Sequence, residues 1–229
     1  MIATTTAERL ATVLRFGTLL PLISPLVVIP GLIFPFHTGR TVFFQIIIAA
    51  LFVPWVWLVF ASPAHRPRPS LPLLVLLGFL SVHFITGLFG IYFAQSFWGR
   101  DERMMGSFTL IHVGLWAVFT ASVFRDARAW RLPVGVSIAA ATAVALLAIH
   151  ERFFPGVWRV LAGGGSRAIS TLGNPIFLAN YLMPHLFLAA WLAVRGSRTM
   201  RVLLGAGAAV ILLALIYAGT RGAYLGNTA

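Results

Sequence analysis

Three short stretches of this chain gather the residue types that hold charged substrates. The first runs from Ser166 to Tyr181. A glycine-rich entry, Gly163-Gly164-Gly165, leads into Arg167 and then into Asn174-Pro175 at the head of an apolar run. Asn is a strong N-cap and Pro a favoured first helical residue, so the pair predicts a well-capped helix start. The same grouping favours an anion, because free N–H groups and the positive end of a helix dipole lie beside the Arg167 guanidinium. The second stretch is Ser96 to Gly106, where Arg100, Asp101, Glu102 and Arg103 follow Phe97 and Trp98. Its four charges either pair among themselves or form the polar rim of a substrate groove, and the two aromatic residues suit a membrane–water interface. The third is Gly219-Thr220-Arg221-Gly222, a single arginine in a turn between two hydrophobic runs. A charge at membrane depth is expensive and usually has a role; an arginine at the boundary can also snorkel to the headgroups.

Other chemistries find little support. The histidines are His37, His65, His83, His112, His150 and His185, and no two stand at metal-ligand spacing. His83 and His112 fall in or near apolar runs and are expected to be buried and hydrogen-bonded. There is no cysteine, hence no disulfide or thiolate metal site. No nucleophile elbow, HxxxH pair or phosphate-binding glycine loop occurs, and neither metal nor cofactor is expected. The five acids, Glu8, Asp101, Glu102, Asp126 and Glu151, all lie outside the apolar runs. That weakens the case for a proton-coupled carrier. Pro184 cannot donate to the carbonyl of Asn180, so a kink there places Asn180 and His185 near unsatisfied backbone.

The elements that must position these residues are membrane helices. Hydrophobic residues make up 59% of the 229 and charged residues 10%, with a mean hydropathy of +0.93. A soluble fold could not cover so much apolar surface. Seven runs are each about long enough to cross a hydrocarbon core. They are Phe16 to Phe34, Val42 to Phe60, Leu71 to Ile91, Ser107 to Phe124, Leu132 to His150, Pro175 to Val194, and Val202 to Gly219. None alternates as a barrel strand would, so helix is the expected state. The first run is too long and proline-rich for a signal peptide, with Pro21, Pro25 and Pro30 and no small-residue cleavage site. Ala223 onward reads as the start of an eighth helix. The fold class is therefore an all-α polytopic membrane protein of about seven transmembrane helices plus the start of another. Residues 1–229 form one transmembrane domain, expected to be the N-terminal part of a longer one.

All 17 basic residues are arginine, and the net charge is +12. They are spread through short loops, where they set topology rather than bind nucleic acid. With the N-terminus inside, ten arginines fall on inner segments and seven on outer ones, which favours a cytoplasmic N-terminus. The outer loops then carry Asp101, Glu102 and Glu151 with Arg100, Arg103 and Arg167. That face reads as the working surface.

At these segments the sequence resembles the O-antigen ligase family of bacterial membrane glycosyltransferases. Phe97-Trp98-Gly99-Arg100-Asp101-Glu102-Arg103-Met104-Met105-Gly106 is similar to the family's FWGsxERxxG segment. Thr171 to Ala179 is similar to TxGNPNFLA, with Ile176 where Asn is common. Gly219-Thr220-Arg221-Gly222-Ala223 is similar to GSRGA, and Phe34 to Arg40 resembles the end of the family's first span. The resemblance implies metal-independent transfer of glycan from an undecaprenyl diphosphate carrier to a lipid A-core, glycan or protein acceptor, on the outer face of the inner membrane. It implies that Arg221 contacts the donor diphosphate. Arg167 and Asn174 are further candidates for the donor groove, and Arg100 and Arg103 for the outer-face loop. In the family's layout a large periplasmic loop, with a second arginine and a histidine, follows beyond Ala229, and none of the six histidines here matches it. Two other readings stand beside this one: a multi-span transporter of a small solute such as bicarbonate, and a non-catalytic membrane remnant.

Overall fold

The computed structural model describes residues 2–154 and 167–220. Arg221 and the expected start of an eighth helix lie outside the described residues, as does Gly163-Gly164-Gly165. The described residues form helices and turns, with no strand among them. Eight α-helices follow in order: α1 (Ile2–Gly17), α2 (Thr38–Ala61), α3 (Leu71–Leu88), α4 (Phe93–Trp98), α5 (Ser107–Val123), α6 (Arg131–Phe153), α7 (Pro175–Val194) and α8 (Arg198–Ala218). Five of them, α2, α3, α6, α7 and α8, are long and apolar enough to cross a membrane; α5 is apolar but shorter, at 17 residues. Their outward faces are apolar as lipid requires. On α3, Phe79 is 57% and Val82 62% exposed, a pattern that water would penalise and acyl chains accept.

Six of the seven expected spans are helices at nearly the expected places. The first is not. Phe16 to Phe34 divides into the end of α1, a 3-10 helix at Leu20–Leu26, and turns. The reason is covalent: Pro21, Pro25 and Pro30 donate no N–H and clash with the preceding turn, so no α-helix can run through all three. Its backbone finds other partners, including Leu22 N to Leu19 O at 3.0 Å and Ile29 N to Pro35 O at 3.2 Å. Between the third and fourth expected spans the chain also forms α4, a six-residue aromatic helix leading into the charged segment.

The chain divides into two compact units. Unit 1 comprises Met1–Ser24 and His37–Trp130; unit 2 comprises Pro25–Phe36 and Arg131–Ala229. Unit 1 packs α1 to α5 around the fully buried Leu14, Ile48, Leu58 and Phe119. Buried polar groups link its helices. Gln45 Nε2 donates to Thr109 Oγ1 at 2.9 Å, Trp55 Nε1 to Ser122 Oγ at 3.0 Å, and Trp116 Nε1 to the Thr18 carbonyl at 2.9 Å. In unit 2, α6 presents the small residues Ala141, Val144, Ala145 and Ala148 to Leu178 and Leu182 of α7 and to Ile211 and Leu215 of α8. Small residues permit the close helix approach on which packing in lipid depends, because apolar burial alone drives nothing there.

Candidate functional site

Two clusters of functional side chains are built, one at an end of each unit. In unit 2 the cluster lies where α6 and α8 end and α7 begins. Gly173, with φ +71°, turns the chain into α7, and a Cβ there would meet the Phe36 ring at 2.5 Å. Asn174 then caps the helix, its Oδ1 accepting from Ile176 N at 2.8 Å. Arg167 reaches the last turn of α8. Its Nε donates to the Ala218 carbonyl at 2.9 Å and its Nη2 to Thr220 Oγ1 at 3.0 Å. The Thr220 hydroxyl lies 3.3 Å from the carbonyl of Pro175, to which it donates. Below this node, Glu151 Oε2 accepts the backbone N–H groups of Ile169 at 3.0 Å and Ser170 at 2.8 Å. Ser170 is buried at φ +49° and donates to the Val144 carbonyl at 2.7 Å.

The physical logic is complementary charge. The C-terminus of α8 carries partial negative charge on its unpaired carbonyls, and the Arg167 guanidinium satisfies one while neutralising the dipole. The N-terminus of α7 carries the opposite sign. Arg167, Thr220 and the α7 entry thus form one hydrogen-bonded node made from the segments around Thr171–Ala179 and Gly219–Thr220. Arg221, the next residue, is outside the described residues. Nothing in the sequence showed that Arg167 would grip α8, since its partners are 51 and 53 residues away.

The cluster in unit 1 lies at the start of α2. His37 occupies the N-cap of that helix without capping it, and Arg40 Nη2 donates to His37 Nδ1 at 2.7 Å. Burial lowers the affinity of His37 for a proton; Arg40 lowers it further, Glu102 raises it and Arg103 lowers it again. The ring is therefore held in its neutral, accepting form. Glu102 and Arg103 come from the loop between α4 and α5, so two of the resembling segments, Phe34–Arg40 and Phe97–Gly106, share this cluster through His37, Arg40, Glu102 and Arg103. The loop is pinched at its neck. Gly99 has φ +81°, and a Cβ there would meet Gly106 N at 2.6 Å; a Cβ on Gly106 would overlap Gly99 N and Phe97 O. The neck rests on Phe97, Trp98 and Phe108, with ring centroids 4.9 to 5.8 Å apart. Arg100, Asp101, Glu102 and Arg103 are exposed at the tip, and a groove of about 560 Å³ runs past Trp98, Gly99, Arg100 and Asp101.

The described site residues therefore fall into two sets, Arg167 with Asn174 and Arg100 with Arg103. His112 is buried, its Nδ1 donating to the Phe108 carbonyl at 2.8 Å, as expected; His83 is half-buried on α3. Sequence reasoning missed His185 as a helix link. Its Nδ1 bonds the Tyr181 carbonyl at 2.7 Å and its Nε2 lies 2.8 Å from Ser137 Oγ. Asn180, expected beside it, is exposed. No protein-family model, curated protein or solved structure matches the chain.

Proposed function

We propose that this chain belongs to a membrane glycosyltransferase of the O-antigen ligase type. It has seven membrane-crossing segments, the first of them broken, and the start of an eighth. It sits in the bacterial inner membrane with its N-terminus cytoplasmic. It transfers glycan from an undecaprenyl diphosphate carrier to a lipid A-core, glycan or protein hydroxyl at the outer face. In that reaction the acceptor oxygen attacks the anomeric carbon of the donor sugar. The bond from that carbon to the diphosphate oxygen breaks, the diphosphate departs with the electron pair, and the hydroxyl proton passes to a base. Charge develops on the leaving diphosphate, and guanidinium groups held in place stabilise it. Arg221 is assigned that contact, with Arg167 and Asn174 as further donor-groove residues; Arg100 and Arg103 belong to the outer-face loop.

The observation that carries the reading is the Arg167–Thr220–Pro175 node. It gathers an arginine, the α7 N-terminus and the turn leading into Arg221 from segments far apart in sequence. Transport of a small solute would need polar groups facing a cavity at mid-depth. Instead Gln45 pairs with Thr109, Trp55 with Ser122 and His185 with Ser137, helix to helix. The test is a binding titration of the purified chain with undecaprenyl diphosphate, with undecaprenol as the uncharged control. The diphosphate is expected to bind in preference to the alcohol, and Arg221→Ala and Arg167→Ala to weaken it about tenfold each, the order of a lost charge-assisted hydrogen bond. Equal binding of both lipids, or full diphosphate binding by Arg221→Ala, sinks the proposal.

A further inference from the structure

Unit 1 has a second cationic feature at the opposite end of α2 from His37. A cavity of about 170 Å³ is lined by Ala11, Thr12, Arg15, His65 and Val123. Its walls are fixed by contacts of their own. The Arg15 guanidinium stands 5.8 Å from the centroid of the Phe124 ring, a cation–π distance that orients the group without neutralising it. His65 Nδ1 lies 3.0 Å from Ser62 Oγ, which holds the ring in place, and a neutral imidazole carries one N–H donor. Burial, and then Arg125, depress the affinity of His65 for a second proton. Arg125 itself is anchored, its Nη1 donating to the carbonyls of Ala64 and Arg66. Arg9, Arg66, Arg68 and Arg128 add positive charge on the same segments, against Glu8 and Asp126. Asp126 already accepts from Ala129 N at 2.8 Å.

The flank of this cavity is apolar. α1 buries Ala7 and Leu14 against the unit. Along the same turns that carry Arg15 it leaves Val13 52% and Phe16 59% exposed. The Thr12 hydroxyl is engaged, donating to the Glu8 carbonyl at 2.9 Å, so a guanidinium and an imidazole beside a small cavity are the groups that match the acceptor oxygens of a phosphate monoanion. An exposed apolar strip beside them matches acyl chains, as in helices that lie at a membrane interface.

We propose that this cavity binds the phosphate of an anionic phospholipid, with Arg15 and His65 as its donors and Val13 and Phe16 against the lipid's chains. The proposal is independent of the donor-site reading and uses none of its residues. The site anchors the N-terminal helix to one leaflet and fixes the depth of unit 1.

Native mass spectrometry of the purified chain, titrated with phosphatidylglycerol or phosphatidylcholine of the same chain length, tests it. The wild-type protein is expected to retain phosphatidylglycerol preferentially. Arg15→Gln should lower that apparent affinity about fivefold, the effect of one juxtamembrane charge. Arg15→Lys should recover part of it, and Arg201→Gln on α8 should match the wild type. His65→Gln, which leaves every arginine in place, should weaken the preference less than Arg15→Gln. Equal retention of the two lipids by the wild-type protein overturns the proposal, whatever the variants do. So does undiminished phosphatidylglycerol binding by both Arg15→Gln and His65→Gln. Displacement of the lipid by an equimolar amount of inorganic phosphate would make the ligand free phosphate and also overturn it.

Discussion

Glycines at the two necks of this protein carry more constraint than their charged neighbours. Gly173 combines a positive φ with a Phe36 ring at 2.5 Å from any added Cβ, and a Cβ on Gly106 would fall on the backbone of Phe97–Gly99. By contrast Gly205, inside α8, has nothing within 4 Å of an added Cβ. Gly173→Ala and Gly106→Ala should each destabilise by about 1–3 kcal/mol, from strain and overpacking. Gly205→Ala should stabilise by about 0.5–1 kcal/mol through helix propensity. Reversible unfolding in mixed micelles measures all three; equal effects at the three sites would show the necks to be looser than described. At this scale the cap at Asn174 was legible because capping is local chemistry. The Arg167 grip, the Phe36–Gly173 contact and the neutral state of His37 depend on residues brought together by the fold, and no spacing rule reaches them.

At the scale of the element, the hydrophobic runs located six helices because each must be long enough to span and must satisfy its own backbone. The first failed because length and hydropathy do not register that three prolines share the run. Pro184 sits inside α7 without ending it, because one lost bond is tolerable where neighbours compensate. Next to it, His185 links α7 to α6 through Ser137 at 2.8 Å. Ser137→Ala leaves the imidazole Nε2 without that donor, and the expected loss is about 0.6–1.7 kcal/mol, the range for hydrogen bonds between membrane helices. A double-mutant cycle with His185→Ala measures the coupling directly; zero coupling would mean that the pair is adjacent without contributing.

For the whole molecule, composition alone identified the solvent. An all-helical chain with outward-facing Phe79 and Val82 needs hydrocarbon around it. Within unit 1, α2 runs from the His37 cluster to the Arg15 cavity, so Asp101 and Arg68 lie at opposite ends. The chain contains no cysteine, which makes single-cysteine labelling clean. If the proposed orientation holds, Asp101→Cys should react with an impermeant maleimide added from outside the cytoplasm, and Arg68→Cys only after permeabilisation. The reverse pattern would invert the proposed orientation. What composition did not disclose is the division into two units, which depends on which segments pack, and in particular on Pro25–Phe36 joining the later helices rather than its chain neighbours.

The pinched loop between α4 and α5 has a consequence for recognition. A segment free to wander loses conformational entropy when a ligand arrives, and that loss subtracts from affinity. Here the ends of the loop are held together by Gly99 and Gly106 before any ligand is present. The turn at its tip is closed by Met104 N to the Arg100 carbonyl at 2.7 Å. Most of the ordering is thus completed during folding. Arg100, Asp101, Glu102 and Arg103 are carried on a turn already set, so a ligand that bound them, as the proposed function requires, would be selected by shape as much as by charge.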